Sequence, residues 1–240
     1  MLSSADPRSS VQSRPDEALK ARLAGTAHPA GGDAWLDGLV PQQLPERPVR
    51  PRGSALARGV LRLFGWRLVF DGLPARQGVI AVYPHTSNWD FVWGLLAKWG
   101  MGLPLSFWAK HSLFGLPLFG RFLRRVGGLA IDRRAPRGVV GQTVDRLRAA
   151  GRDDAFLWIA IAPEGTRSPV EGWRSGFYHL ATQSDVPLAL AFIDYRRREV
   201  GLDSFWRASG DAARDMACFA RRLDGRVGRR PQNAAPVRLV

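Results

Sequence analysis

Three short segments decide the class of fold: GVIAVY at 78–83, AFLWIAI at 155–161 and PLALAFI at 187–193. Each sets apolar residues at consecutive positions. A strand points successive side chains to opposite faces, so a run without polar alternates must be covered on both sides. Between these runs lie stretches at helical spacing. One covers 91–101, and another covers 138–150, where Val139, Val140, Val144 and Leu147 share a side. Buried strands separated by helices predict an α/β fold, a mainly parallel sheet flanked by helices. Ser54 is placed to cap a further helix carrying Leu56, Val60, Leu61 and Phe64 on one side. Residues 129–131 read as a short strand.

The flanks read differently. Residues 1–53 are rich in Pro, Gly, Ala, Ser and Arg, with prolines at 41, 45, 48 and 51. They are expected to form a disordered leader. Residues 223–240 are expected to be a basic, flexible tail, which leaves 54–222 as the folded body. A lone cysteine, Cys218, excludes an internal disulfide framework, and four histidines argue against a multi-histidine metal centre. No uncharged apolar run reaches the roughly 18 residues that span a bilayer. The first residues carry no apolar signal core, so the expected compartment is cytoplasmic. The formal net charge is +14, from 35 basic and 21 acidic residues, and six arginines lie within 221–240. Such a balance suits an anionic partner: a membrane surface, a nucleic acid or an acidic carrier protein. An arginine-favouring base composition would give the same excess.

Polar groups gather just after the buried strands, where open α/β sheets place their sites. The first strand runs into Pro84-His85-Thr86-Ser87-Asn88-Trp89-Asp90. At a strand–turn–helix corner, Asp90 can face one imidazole nitrogen of His85 and leave the other free to take a proton. The plainer alternative is a capping Asp90 beside an incidental His85. The second constellation is Ala162-Pro163-Glu164-Gly165-Thr166-Arg167-Ser168. Gly165 permits close backbone approach, Thr166 offers a hydroxyl, and Arg167 offers a planar fork for phosphate or carboxylate. A turn carrying a Glu–Arg surface pair is the alternative. The third, 110–134, reads as a folded-over apolar segment leading to a strand that ends in Asp132-Arg133-Arg134. There Arg133 is either a phosphate partner or a solvated cation.

Taken in this order, the blocks resemble the lysophospholipid acyltransferase family, which includes 1-acylglycerol-3-phosphate acyltransferase. His85–Asp90 matches its HxxxxD box, and Gly127–Arg133 looks like its glycine-to-Ile-Asp-Arg block. Glu164–Ser168 reproduces EGTRS. Val186–Ile193 resembles the fourth block, with Leu190 where a second proline is common. The resemblance covers about 75–195 and points to a compact bacterial-type member. It implies transfer of a fatty acyl group from acyl-CoA or acyl carrier protein to a hydroxyl of a lysophospholipid such as 1-acylglycerol-3-phosphate. It implies no metal and no redox cofactor. His85 would be the general base, with Asp90 holding its tautomer. Thr86, Ser87 and Asn88 would orient the acceptor or the oxyanion. Glu164, Gly165, Thr166 and Arg167 would shape the acceptor site, with Arg133 and Lys110 adding positive charge. Apolar residues between 91 and 119 would supply the acyl slot. The basic stretch 56–70, with Trp66, Trp99 and Trp108 at headgroup level, suggests peripheral attachment to the inner face of the cell membrane. A non-phosphate lipid acceptor and a catalytically silent membrane-binding homologue are the rival readings. A nucleic-acid partner has charge as its only support and is not expected.

Overall fold

The computed structural model describes residues 41–131 and 138–240. Along them run β1 (Gln42–Gln43), α1 (Ala55–Leu63), β2 (Arg67–Val69), β3 (Gln77–Tyr83), α2 (Trp89–Met101) and β4 (Ser106–Lys110). Next come α3 (His111–Phe114), α4 (Pro117–Arg125), β5 (Gly128–Ile131), α5 (Gly138–Arg152) and β6 (Leu157–Ile161). The order closes with α6 (Gly176–Ser184), β7 (Leu188–Asp194), β8 (Glu199–Arg207) and α7 (Ala212–Leu223).

The strands form one sheet in the order β1-β8-β7-β3-β6-β4-β5, with β2 paired to β8. From β7 through β3, β6 and β4 to β5, every pairing is parallel. β8 runs antiparallel to β7 and carries β1 and β2 on its other edge. The prediction of a mainly parallel sheet under helices therefore holds, and the reason is visible in the pleat. In β7, Leu188, Leu190 and Phe192 join one core, while Ala189 and Ile193 join the other. In β3, Val79 and Ala81 face the first core and Ile80 the second. The first core also takes Val144 and Leu147 of α5, Phe177 of α6 and Phe219 of α7. The second takes Leu61 of α1 and Trp93 and Met101 of α2. Both faces are covered, as the continuous apolar runs require.

Local expectations fare unevenly. Ser54 does cap α1, its Oγ accepting the Ala57 N–H at 3.2 Å. The helix turns a different side inward, however: Ala57 and Leu61 are buried, whereas Leu56, Leu63 and Phe64 are exposed. Trp66 is buried and stacks on Trp93 with ring centroids 4.7 Å apart, so it is not a headgroup residue. Of segment 110–134, the described residues after Lys110 form α3, α4 and β5, with Pro117 in the first turn of α4, and residues 132–134 lie outside the described residues.

Both flanks need correction. Gln42 and Gln43 pair with Arg207 and Trp206 of β8, and Val49 bridges Leu73, so the ordered chain begins well before residue 54. Residues 223–240 are not a loose tail. Leu239 bridges Trp173, Ala235 is buried, and Val237 and Leu239 pack on the first core. Alternate apolar residues at 235, 237 and 239 let an extended segment bury one edge. Among the described residues, no helix is long and apolar enough to cross a membrane.

Candidate active site

The parallel strands bring their carboxyl ends to one edge. Tyr83 of β3 lies beside Phe192 of β7, and Ala81 lies beside Ile161 of β6. The loops that follow these strands therefore meet, and they carry His85, Glu164–Ser168 and Tyr195. This is the crevice position expected of an open α/β sheet.

Asp90 sits in the first turn of α2 and is buried. Its Oδ2 accepts the backbone N–H groups of Thr86 and Ser87, each at 2.7 Å. Its Oδ1 accepts the phenolic proton of Tyr195 at 2.7 Å. The carboxylate is thus fixed by three donors, and it lies with Oδ2 3.6 Å from His85 Nδ1. The four residues between His85 and Asp90 are what a single turn needs for the carboxylate to reach back onto its own loop. Burial, with the nearby Arg167 guanidinium adding to it, lowers the His85 pKa to about 4, against an opposing pull from Asp90. The imidazole is consequently neutral at neutral pH, which is the form a proton acceptor needs.

Glu164 is buried, and both its oxygens are used inside the protein. Oε2 accepts the His85 N–H at 2.6 Å, and Oε1 accepts the Ala235 N–H at 2.9 Å. Glu164, expected to shape the acceptor site, thus ties the His85 loop to the C-terminal segment. Burial raises its pKa, while the two backbone bonds pull the other way. Thr86, expected to orient the acceptor, is buried and accepts the Arg230 N–H at 3.2 Å on its Oγ1. Gly228 closes over it, since a Cβ there would lie 2.7 Å from Thr86 Oγ1.

Arg167 does join the His85 loop, its Nε donating to the Ser87 carbonyl at 3.1 Å. Gly165 holds a left-handed φ of 68° in the turn that brings it there. Thr166 Oγ1 accepts the Ser168 N–H at 3.2 Å. Asn88 precedes α2 and makes no capping bond with its side chain. A cavity of about 240 Å³ opens here, lined by residues 86–89, Arg167, Arg229 and Arg230. Lys110 is exposed at the end of β4 and does not line it. Arg133 lies outside the described residues. No cluster able to hold a metal ion occurs among the described residues.

Sequence reasoning missed Tyr195, Arg229, Arg230 and Ala235. Tyr195 had a signal, because it follows the buried run 187–193 as directly as His85 follows 78–83. The other three sit in a segment whose composition reads as a tail.

The family profile described as Acyltransferase matches residues 69–190, from β2 into β7. Among solved structures, the 1-acyl-sn-glycerophosphate acyltransferase PlsC from Thermotoga maritima is similar at 18% identity. That likeness covers 70% of this chain and 73% of that one, with a TM-score of 0.45. A search of curated proteins finds no match. The matched profile spans half of the chain and includes His85, Asp90, Glu164 and Arg167, and on that ground the chain belongs to the acyltransferase family.

Proposed function

We propose that this protein transfers a fatty acyl group from a thioester, acyl-CoA or acyl carrier protein, to a hydroxyl of a lysophospholipid such as 1-acylglycerol-3-phosphate. The observation that carries this reading is His85 Nδ1 at 3.6 Å from a buried carboxylate that three other donors hold in place. With Nδ1–H facing Asp90, Nε2 keeps its lone pair for the acceptor. The acceptor hydroxyl gives its proton to Nε2 as its oxygen attacks the thioester carbonyl. The tetrahedral intermediate then collapses, the carbon–sulfur bond breaks, and the thiolate recovers the proton from the imidazolium. Asp90 stabilises the imidazolium that forms in between. The distance exceeds a hydrogen bond, as is common before substrate tightens such a pair. As written, the reaction draws on neither a metal nor a redox cofactor.

The lipid substrates agree with the surface. Leu56, Leu63 and Phe64 of the α1 end, Trp89, Val92 and Trp99 of α2, and Leu118, Phe119 and Phe122 of α4 are exposed. Basic side chains accompany them, with Arg62 in the last turn of α1 and Arg124 and Arg125 in that of α4. Apolar projections among cations suit a protein that rests on an anionic membrane. The direct test is acyl transfer from a labelled thioester to lysophosphatidate and to matched neutral monoacylglycerol. Transfer favouring lysophosphatidate supports the reading. Equal use of both acceptors would reject a phosphate acceptor, and transfer to neither would reject the reaction.

A further inference from the structure

Several arginines of this basic chain are tied to carboxylates: Arg76 to Asp154, Arg197 to Asp194, Arg222 to Asp203, and Arg226 to Glu199 and Asp203. The cavity over residues 86–89, the loop that follows His85, is arranged otherwise. Arg167, Arg229 and Arg230 line it, and no carboxylate does. Among the described residues, none of these three guanidinium groups has an ion-pair partner. Three cations gathered at one small cavity repel one another, and the arrangement becomes favourable when an anion enters.

The placement is enforced by the backbone. Val227 O accepts the Tyr195 N–H at 2.8 Å, and Gly228 lies against Thr86. The Arg230 N–H is held by Thr86 Oγ1 at 3.2 Å. Asn233 Nδ2 donates to the Arg167 carbonyl at 2.8 Å, and the Ala235 N–H is held by Glu164. Two buried polar side chains, Thr86 and Glu164, thus fasten the segment that carries Arg229 and Arg230. The Arg229 guanidinium is also positioned, 5.5 Å from the Trp89 ring centroid. The fastening residues belong to the same two loops that build the His85 site.

Resting on the lysophospholipid reading above, we infer that Arg229 and Arg230 complete, with Arg167, a binding site for the phosphate of the acceptor headgroup. Planar guanidinium forks match phosphate oxygens in pairs. At about 240 Å³, the cavity has room for a phosphate headgroup. The C-terminal segment is therefore part of the specificity apparatus.

Calorimetric titration of the full chain with glycerol 3-phosphate, glycerol and coenzyme A tests this. The wild-type protein should bind glycerol 3-phosphate and not glycerol. Arg229→Gln and Arg230→Gln should each weaken glycerol 3-phosphate about tenfold, and Arg229→Lys by less. Both side chains are exposed, so unchanged circular dichroism and melting temperature should accompany the loss. A wild-type protein that binds neither phosphate compound would overturn the inference, as would variants that bind as wild type does. Weakening confined to coenzyme A would overturn the assignment to the acceptor. If glycerol 3-phosphate binding depends on these arginines but lysophosphatidate is not acylated, the phosphate site stands and the proposed reaction fails.

Discussion

At the scale of single residues, the site is organised around keeping one imidazole neutral beside one fixed carboxylate. Burial and Arg167 lower the His85 pKa to about 4, and the proposed role as general base requires the neutral form. The kcat/KM profile should therefore stay flat well below 6.5 and fall only as pH approaches 4, which a pH series will show. Stability follows the same sign. The unfolded chain takes up the His85 proton first, so stability rises with pH from about 4 to 6.5, and His85→Ala should flatten that slope. Tyr195 holds Asp90 from the side away from His85, and its own pKa is raised by burial and by that bond. Removing its hydroxyl leaves Asp90 a stronger attractor for the imidazole proton. Tyr195→Phe should move the acid limb of kcat/KM to higher pH and reduce kcat several-fold. An unshifted limb would mean that Tyr195 serves packing alone. Arg167→Lys keeps the charge and loses the fork, so KM should rise about tenfold for the acceptor and little for the thioester.

At the scale of elements, the two loops and the C-terminal segment act as one unit, joined through Glu164. Its two oxygens serve two N–H donors from different parts of the chain. A glutamine has one oxygen to offer, so its amide nitrogen would face an N–H. Glu164→Gln should cost about 1–3 kcal/mol, read as a lower melting temperature together with lost activity. Much of this scale was legible in the sequence. The runs at 78–83, 155–161 and 187–193 became β3, β6 and β7 because consecutive apolar residues must be buried on both sheet faces. Their shared carboxyl edge put His85 and Arg167 together. The C-terminal segment was illegible for a physical reason: arginine and proline mask the weak alternation of Ala235, Val237 and Leu239. Its order comes from hydrogen bonds to Thr86 and Glu164, which composition does not reveal. The backbone partners of Glu164 were illegible for a related reason. Nothing local distinguishes a carboxylate that meets substrate from one that meets distant backbone.

At the scale of the whole molecule, the account joins a buried catalytic edge to a surface with exposed apolar side chains. Leu63 and Phe64 project from the end of α1. Replacing both with aspartate should reduce partition onto anionic vesicles by at least tenfold, since an inserted apolar side chain contributes roughly 1.5–3 kcal/mol. High salt should release part of the wild-type protein in the same sedimentation assay. The central claim remains the one at His85, and the most direct measurement is kcat/KM for acyl transfer to lysophosphatidate by wild type and His85→Ala, with melting temperature recorded for both. The account predicts a loss of about a hundredfold or more with the fold intact. A folded His85→Ala protein that still transfers acyl groups at the wild-type rate would contradict it.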